Sequence, residues 1–176
     1  LFGNDQAIFL EIGMGKGDFI YEMAKKHPDI NFVGIEKYSN VLARAIKKYP
    51  EGLANLKVIN LDALQLQDVF LQEIDTIYLN FSDPWPKVRH QSRRLTSEVF
   101  LNIYDSLFKD TKRIVMKTDN LGLFASSLVS LSNHGYIFRD VTLDLHNSDI
   151  PNVLTEYEKK FSSQGVKINY LEAVKK

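Results

Sequence analysis

The densest chemical signal is Glu11-Ile12-Gly13-Met14-Gly15-Lys16-Gly17-Asp18, which follows the apolar run Ala7–Ile12 directly. Glycines at alternate positions (Gly13, Gly15, Gly17) let a backbone turn tightly and approach a ligand closely before a helix begins. The spacing is G-x-G-x-G, not the G-x-G-x-x-G of dinucleotide sites. On its own the motif is weak, and a turn that packs strand against helix is the plain alternative. Two acids favour a ligand. Glu36 ends the second apolar run, where a carboxylate accepts hydrogen bonds from ribose hydroxyls. Asp62 follows the third run, placed either to cap the next short helix or to take an adenine amino group. A pyrophosphate favours helix amides with few acids nearby, whereas Glu11 suits a cationic ligand. Together these residues point to a positively charged nucleoside, S-adenosylmethionine, ahead of a nicotinamide dinucleotide.

A second constellation is Asn80-Phe81-Ser82-Asp83-Pro84-Trp85-Pro86-Lys87. Its two prolines fix φ and remove amide donors, giving a stiff turn with Asp83 and Trp85 at the mouth of the cofactor site. The indole can pack on a flat base, and the carboxylate can accept from the N1–H and amino edge of guanine. An ordinary Asp-Pro turn with a packing Trp is the plain alternative. Then come Arg89-His90-Gln91-Ser92-Arg93-Arg94; from Pro84 to Ser97 there is no acid. Lys87, Arg89, Arg93 and Arg94 suit phosphates, or form a solvated loop. Later, Asp119 in Lys117-Thr118-Asp119-Asn120 either caps a helix or serves the site. Thr155-Glu156-Tyr157-Glu158 has capping-box spacing. It serves function only if the tail folds back over the strand ends.

The elements that must position these residues are legible as alternation. Strands are expected at Ala7–Ile12, Asn31–Glu36, Leu56–Asn60, Thr76–Phe81, Arg113–Lys117, Tyr136–Leu145 and Lys167–Val174. Helices are expected from about Phe19 to Lys26 with Asp18 as N-cap, after Ser39, around Leu64–Leu71, along Val99–Phe108, over Leu121–Ser132 closed by Gly135, and near Glu156–Phe161. Val99, Phe100, Ile103, Tyr104, Leu107 and Phe108 mark one apolar helix face. Such alternation implies an α/β fold, doubly wound: a seven-stranded, mostly parallel sheet with helices on both faces and an antiparallel last strand. Ligands of such sheets lie outside the carboxyl ends of the strands.

Composition narrows the class. The 176 residues balance 22 Lys+Arg against 22 Asp+Glu, which excludes a uniformly basic nucleic-acid coat while permitting a local basic patch. With 44% hydrophobic residues the chain can build a real core. The absence of cysteine excludes disulfides, thiolate metal sites and thiol-dependent carbon-5 methylation. His27, His90, His134 and His146 are too scattered to suggest a metal site. No apolar run is long enough to cross a membrane, so a soluble cytoplasmic domain is expected, as monomer or homodimer.

From Glu11 to the last strand the sequence resembles the TrmB-type tRNA (guanine-N7-)-methyltransferases. The most specific stretch is Asn80–Lys87 with Arg89-His90 and Arg93-Arg94-Leu95-Thr96, joined by Lys117–Asn120 and Thr155–Glu158. The resemblance implies a class I methyltransferase (Rossmann-like) fold spanning residues 1–176 as one domain. It also implies S-adenosylmethionine as methyl donor and N7-methylguanosine in the tRNA variable loop as product. It assigns Glu11, Gly13, Gly15, Gly17, Glu36, Asp62 and Asp83 to the cofactor, with Asp83 catalytic. Lys87, Asp119, Thr155, Glu156, Tyr157 and Glu158 go to the substrate, and Arg89, His90, Gln91, Ser92, Arg93 and Arg94 to RNA, with no metal. The family carries further residues before the first strand, so an N-terminal segment is expected to precede Leu1. Rival readings are a methyltransferase for a small molecule or an adenine amino group, a nicotinamide-dependent oxidoreductase, and a non-catalytic RNA-binding module.

Overall fold

In the computed structural model, which describes residues 1–161 and 164–176, the apolar runs form one seven-stranded sheet. The strands are β1 (Ile8–Ile12), β2 (Asn31–Glu36), β3 (Leu56–Asn60), β4 (Thr76–Asn80), β5 (Lys112–Thr118), β6 (Ile137–Thr142) and β7 (Asn169–Lys175), in the order β3-β2-β1-β4-β5-β7-β6. The pairings from β3 across to β5 are parallel, and β7 is antiparallel to both its neighbours. The helices are α1 (Asp18–Lys26), α2 (Ser39–Lys48), α3 (Glu98–Leu107), α4 (Leu121–Asn133) and α5 (Glu156–Phe161).

Because side chains alternate along a strand, each strand feeds two cores. Leu10, Ile12, Ile77, Leu79, Ile114 and Met116 pack with Phe100, Tyr104 and Phe124 of α3 and α4. Phe32, Tyr78 and Val115 pack with Phe19, Ile20 and Leu42 of α1 and α2 on the other face. The same parity puts Glu11, Asn80 and Lys117 on the α1 face, since Glu11 pairs with Tyr78 and Asn80 with Lys117 in register.

Helix ends differ in detail from expectation. Gly17, at φ +80°, is the N-cap of α1, and Asp18 lies inside the first turn, where its carboxylate meets Lys48 at 2.6 Å. A first-turn acid suits the helix dipole as well as a cap would. Tyr38, not Ser39, precedes α2, and Asn120 rather than Asp119 caps α4 by accepting the Leu123 amide at 2.8 Å. The segment after β3 is a 3₁₀ helix, Ala63–Asp68. On α3 the fully buried Leu101 was not on the expected face, while Val99 is exposed. Gly135 does close α4: at φ +89° it lets its own amide reach Ser132 O and that of Tyr136 reach Leu131 O, both at 3.0 Å, a Schellman motif.

β6 ends at the carboxyl edge and β7 starts there, so the described residues between them, 143–161 and 164–168, lie at that edge. β6 stops at Thr142, short of the expected Leu145, because Leu145 turns inward in a 3₁₀ turn and bonds Ile168 O at 2.8 Å. The glycine loop is seated from below: a Cβ on Gly34 of β2 would lie 2.2 Å from Met14 Sδ. Met14 is buried, so overpacking at this point shifts the loop. Gly34→Ala should cost about 1–3 kcal/mol of folding free energy, measured by urea denaturation. Wild-type stability would mean that Met14 swings aside without cost.

Candidate active site

Glu11, Asn80 and Lys117 lie at the ends of three neighbouring strands, and all are buried. The Asn80 side-chain amide donates to Glu11 Oε1 at 2.8 Å. Glu11 Oε2 and Asn80 Oδ1 are both buried acceptors with no donor among the described residues. Burial pushes the Glu11 carboxyl up to about 8, although Asn80 and Lys117 pull against it. Buried acceptors without donors carry a desolvation cost that an ammonium, with three N–H groups, relieves. The methionyl ammonium of S-adenosylmethionine has the charge and donors required, so the residues present fit that group. Sequence reasoning had not placed Asn80 in the site, although a lone Asn ending an apolar strand was the available signal.

The glycine loop and Glu36 are joined directly. Gly13, Gly15 and Gly17 all have positive φ, and Gly13 N and Met14 N both donate to Ile35 O at 2.9 and 3.0 Å. Glu36 accepts the Gly15 amide at 3.1 Å and the Tyr38 amide at 2.9 Å, one on each oxygen. Since a carboxylate offers about four lone-pair positions, acceptor capacity remains for ribose hydroxyls. Asp62 is more committed. It caps the 3₁₀ helix through Leu64 N at 3.0 Å and pairs with Lys37 at 2.7 Å. Lys37 first, then the Leu64 amide, holds its carboxyl below the usual range.

The loop after β4 is strained. Phe81 and Trp85 adopt positive φ of 51° and 40°, conformations that cost a non-glycine residue about 1–3 kcal/mol each. Several contacts hold them. Phe81 N donates to Lys117 O at 2.8 Å, and the Phe81 ring stacks on Tyr157 with centroids 4.7 Å apart. The Arg93 guanidinium lies 5.0 Å over the Trp85 ring and His90 meets that ring edge-on at 5.7 Å. Asp83, Lys87, Arg89, Gln91, Ser92 and Arg93 are exposed, whereas His90 is half-buried. Arg94 turns back on its own loop, donating through Nε to Pro84 O at 3.0 Å and through a terminal nitrogen to Trp85 O at 3.1 Å.

The tail does fold over the strand ends. Lys117 Nζ pairs with Glu158 at 2.6 Å, and their side chains are 3% and 0% exposed. Lys117 also donates to Asn152 Oδ1 and Val153 O. Glu158 further accepts from His146, Asn152 and the Thr155 amide, while its own amide donates to Thr155 Oγ1 at 3.0 Å. This completes the capping box. Thr155 and Glu158, expected at the substrate, have their side-chain polar groups bonded to each other's amides and, for Glu158, to Lys117, at buried positions. Glu156 and Tyr157 point elsewhere. Glu156 pairs with Lys16 of the glycine loop at 2.7 Å, and Tyr157 donates to Asp119 at 2.7 Å. That bond pushes the Tyr157 phenol up to about 12. Lys117, a lysine in an apolar strand, is a signal visible in the sequence; His146 carries none.

A protein-family model described as "Putative methyltransferase" matches residues 5–171. A tRNA (guanine-N(7)-)-methyltransferase of Geobacillus kaustophilus (strain HTA426) is 53% identical over 99% of this chain and 82% of its own length. One of the same name from Bacillus cytotoxicus is 52% identical over 98% and 81%. Among solved structures, an antibiotic-related methyltransferase superposes with a TM-score of 0.70 at 20% identity, covering 99% of this chain and 89% of that one. Precorrin-6y C5,15-methyltransferase from Geobacter metallireducens GS-15 gives 0.63 at 14%, covering 98% and 81%. The structural neighbours support the class I methyltransferase fold.

The buried Glu11 predicts a pH signature. Its folded carboxyl titrates near 8 against an ordinary 4.5. The neutral form therefore supports the fold fully below 4.5, and that support is lost as pH rises towards 8. Glu11→Gln cannot ionise. It should gain stability relative to wild type across this window, by an amount on the order of a few kcal/mol above pH 8. Urea midpoints of both proteins from pH 5 to 8.5 test this, and parallel profiles would show that the carboxyl is not desolvated.

Proposed function

Since this chain belongs to the TrmB-type tRNA (guanine-N(7)-)-methyltransferase family, we propose that it methylates N7 of a guanine in the variable loop of tRNA, with S-adenosylmethionine as donor. The observation that carries this reading is the pair of donorless acceptors, Glu11 Oε2 and Asn80 Oδ1, beside a strained loop bearing Asp83 and a basic stretch. Bound there, S-adenosylmethionine supplies an electrophilic methyl group on a sulfonium. Glu11 and Asn80 hold its ammonium, Glu36 its ribose, and the Gly13–Gly17 turn admits it close to the backbone. Asp62 borders the adenine, with Lys37 already on one of its oxygens.

Guanine N7 carries a lone pair, so no base has to remove a proton before attack. The chain's work is alignment and charge placement. Asp83 accepts from the Watson–Crick edge of guanine and is drawn more strongly to the ring as methylation makes it cationic. Lys87, Asp119 and Tyr157 border the same mouth, and Lys87, Arg89 and Arg93 take phosphates. Thr155 and Glu158 serve by holding Glu156 and Tyr157 in place. Among the described residues no helix is long and apolar enough to cross a membrane, and none of their His, Asp and Glu clusters suits a metal. We place the activity with tRNA in the cytoplasm.

The test is to supply methyl-labelled S-adenosylmethionine and unmodified tRNA transcripts, digest the RNA and identify the labelled nucleoside. Label should appear in N7-methylguanosine. Asp83→Ala should reduce turnover roughly 10²–10³-fold while cofactor binding persists; undiminished turnover would remove Asp83 from its role. Arg93→Ala should flatten the salt dependence of tRNA binding by about one unit, and a wild-type slope would show a merely solvated side chain.

A further inference from the structure

We propose that Arg94 is a positioning residue of the Asp83 loop and not one of the phosphate contacts. The assignment rests on the reading of Asp83 given above. Within the basic stretch Arg94 differs from Arg89 and Arg93, which are exposed; it is half-buried. Its guanidinium grips two consecutive main-chain carbonyls, Pro84 O at 3.0 Å and Trp85 O at 3.1 Å. Those carbonyls lie where the loop cannot satisfy itself, because Pro84 and Pro86 contribute no N–H groups. They also flank Trp85, whose φ of 40° is a conformation that persists only when its surroundings impose it.

The grip reaches a rigid anchor. The Arg94 amide donates to Gln91 O at 3.1 Å, and Arg94 O accepts the Ser97 amide at 2.9 Å, at the N-cap of α3. α3 in turn buries Phe100, Leu101, Tyr104 and Leu107 in the core. Arg94 thus connects the helix core to the loop two residues beyond Asp83. A planar guanidinium holds two carbonyls in one fixed fork; a lysine ammonium is a point charge without that geometry. One cation of the stretch is committed inward, leaving Lys87, Arg89 and Arg93 for the nucleic acid.

The experiment compares Arg94→Ala, Arg94→Lys and Arg89→Ala in the full chain. Both Arg94 variants should lose roughly 10–100-fold in kcat, the scale of a small misplacement of a reacting group. Their KM for tRNA and the salt slope of tRNA binding should stay at wild-type values. Arg89→Ala, exposed and away from the Trp85 ring, should show the converse, with a slope reduced by about one. Guanidinium ion added at millimolar concentration should restore part of the kcat of Arg94→Ala. Trp85 is the sole tryptophan of the chain, so its fluorescence reports the loop without substrate: acrylamide should quench it more readily in Arg94→Ala and Arg94→Lys. Arg94→Lys keeps charge and near-equal bulk, and so decides the question should Arg94→Ala not fold. A shallower salt slope with kcat retained, or quenching equal to wild type in a folded variant, overturns the proposal. If wild-type protein does not methylate tRNA, the functional reading falls, while the quenching comparison still judges the grip on the loop.

Discussion

The arrangement of the carboxyl edge depends on one buried ion pair, Lys117 with Glu158. Lys117 lies near the carboxyl end of β5, beside the central strand β4, and Glu158 sits on the return segment, 41 residues later, at 2.6 Å. Taking two charges out of water costs several kcal/mol per ion unless their remaining hydrogen-bonding capacity is met. Here it is met: Asn152 and Val153 complete Lys117, while His146, Asn152 and the Thr155 amide complete Glu158. Burial alone would raise the Glu158 carboxyl, but Lys117 and these donors outweigh it and hold it below the usual range. Neither charge can leave alone without stranding the other, so sheet and tail stay joined.

That pair divides the Thr155–Glu158 stretch into two functions. Thr155 and Glu158 face inward and close the capping box; Glu156 and Tyr157 face the glycine loop and the end of β5. Tyr157 also stacks on Phe81, the first strained residue of the Asp83 loop. One short helix therefore touches both the cofactor side and the acceptor side of the edge. In a chain whose net charge is zero, Glu11 and Glu36 lie at strand ends, while the exposed Lys87, Arg89 and Arg93 lie in the stretch after β4.

Strand positions, helix order and the antiparallel finish were legible because each is written in a local period. The placement of Glu11, Glu36 and Asp62 at the carboxyl edge was legible because α/β topology fixes where a strand's last residues must lie. What was hidden depends on partners distant in sequence. Asp18 and Ser39 have cap-forming side chains, yet Gly17 and Tyr38 take the cap positions. Arg94 looks like any arginine in a basic run until its carbonyl partners, some ten residues back, are in view. Glu158 read with equal ease as capping residue or substrate contact, and only the depth of Lys117 separates the two. The donorless state of Glu11 needs the packing of three strands and is invisible in any one.

The reversed direction of β7 has a consequence for how such proteins diversify. A parallel last strand would force its connection to travel back to the amino edge; the antiparallel one lets the connection start and end at the edge where the strand ends gather. Both ends of that connection are pinned by sheet pairing, and closing a longer loop between fixed ends costs little, about 0.6 kcal/mol per doubling. Its length and composition can therefore vary without disturbing the sheet. Glu156 and Tyr157 can change with this segment, provided a counter-charge for Lys117 is kept, while the loop after β4 that carries Asp83 keeps its place at the edge.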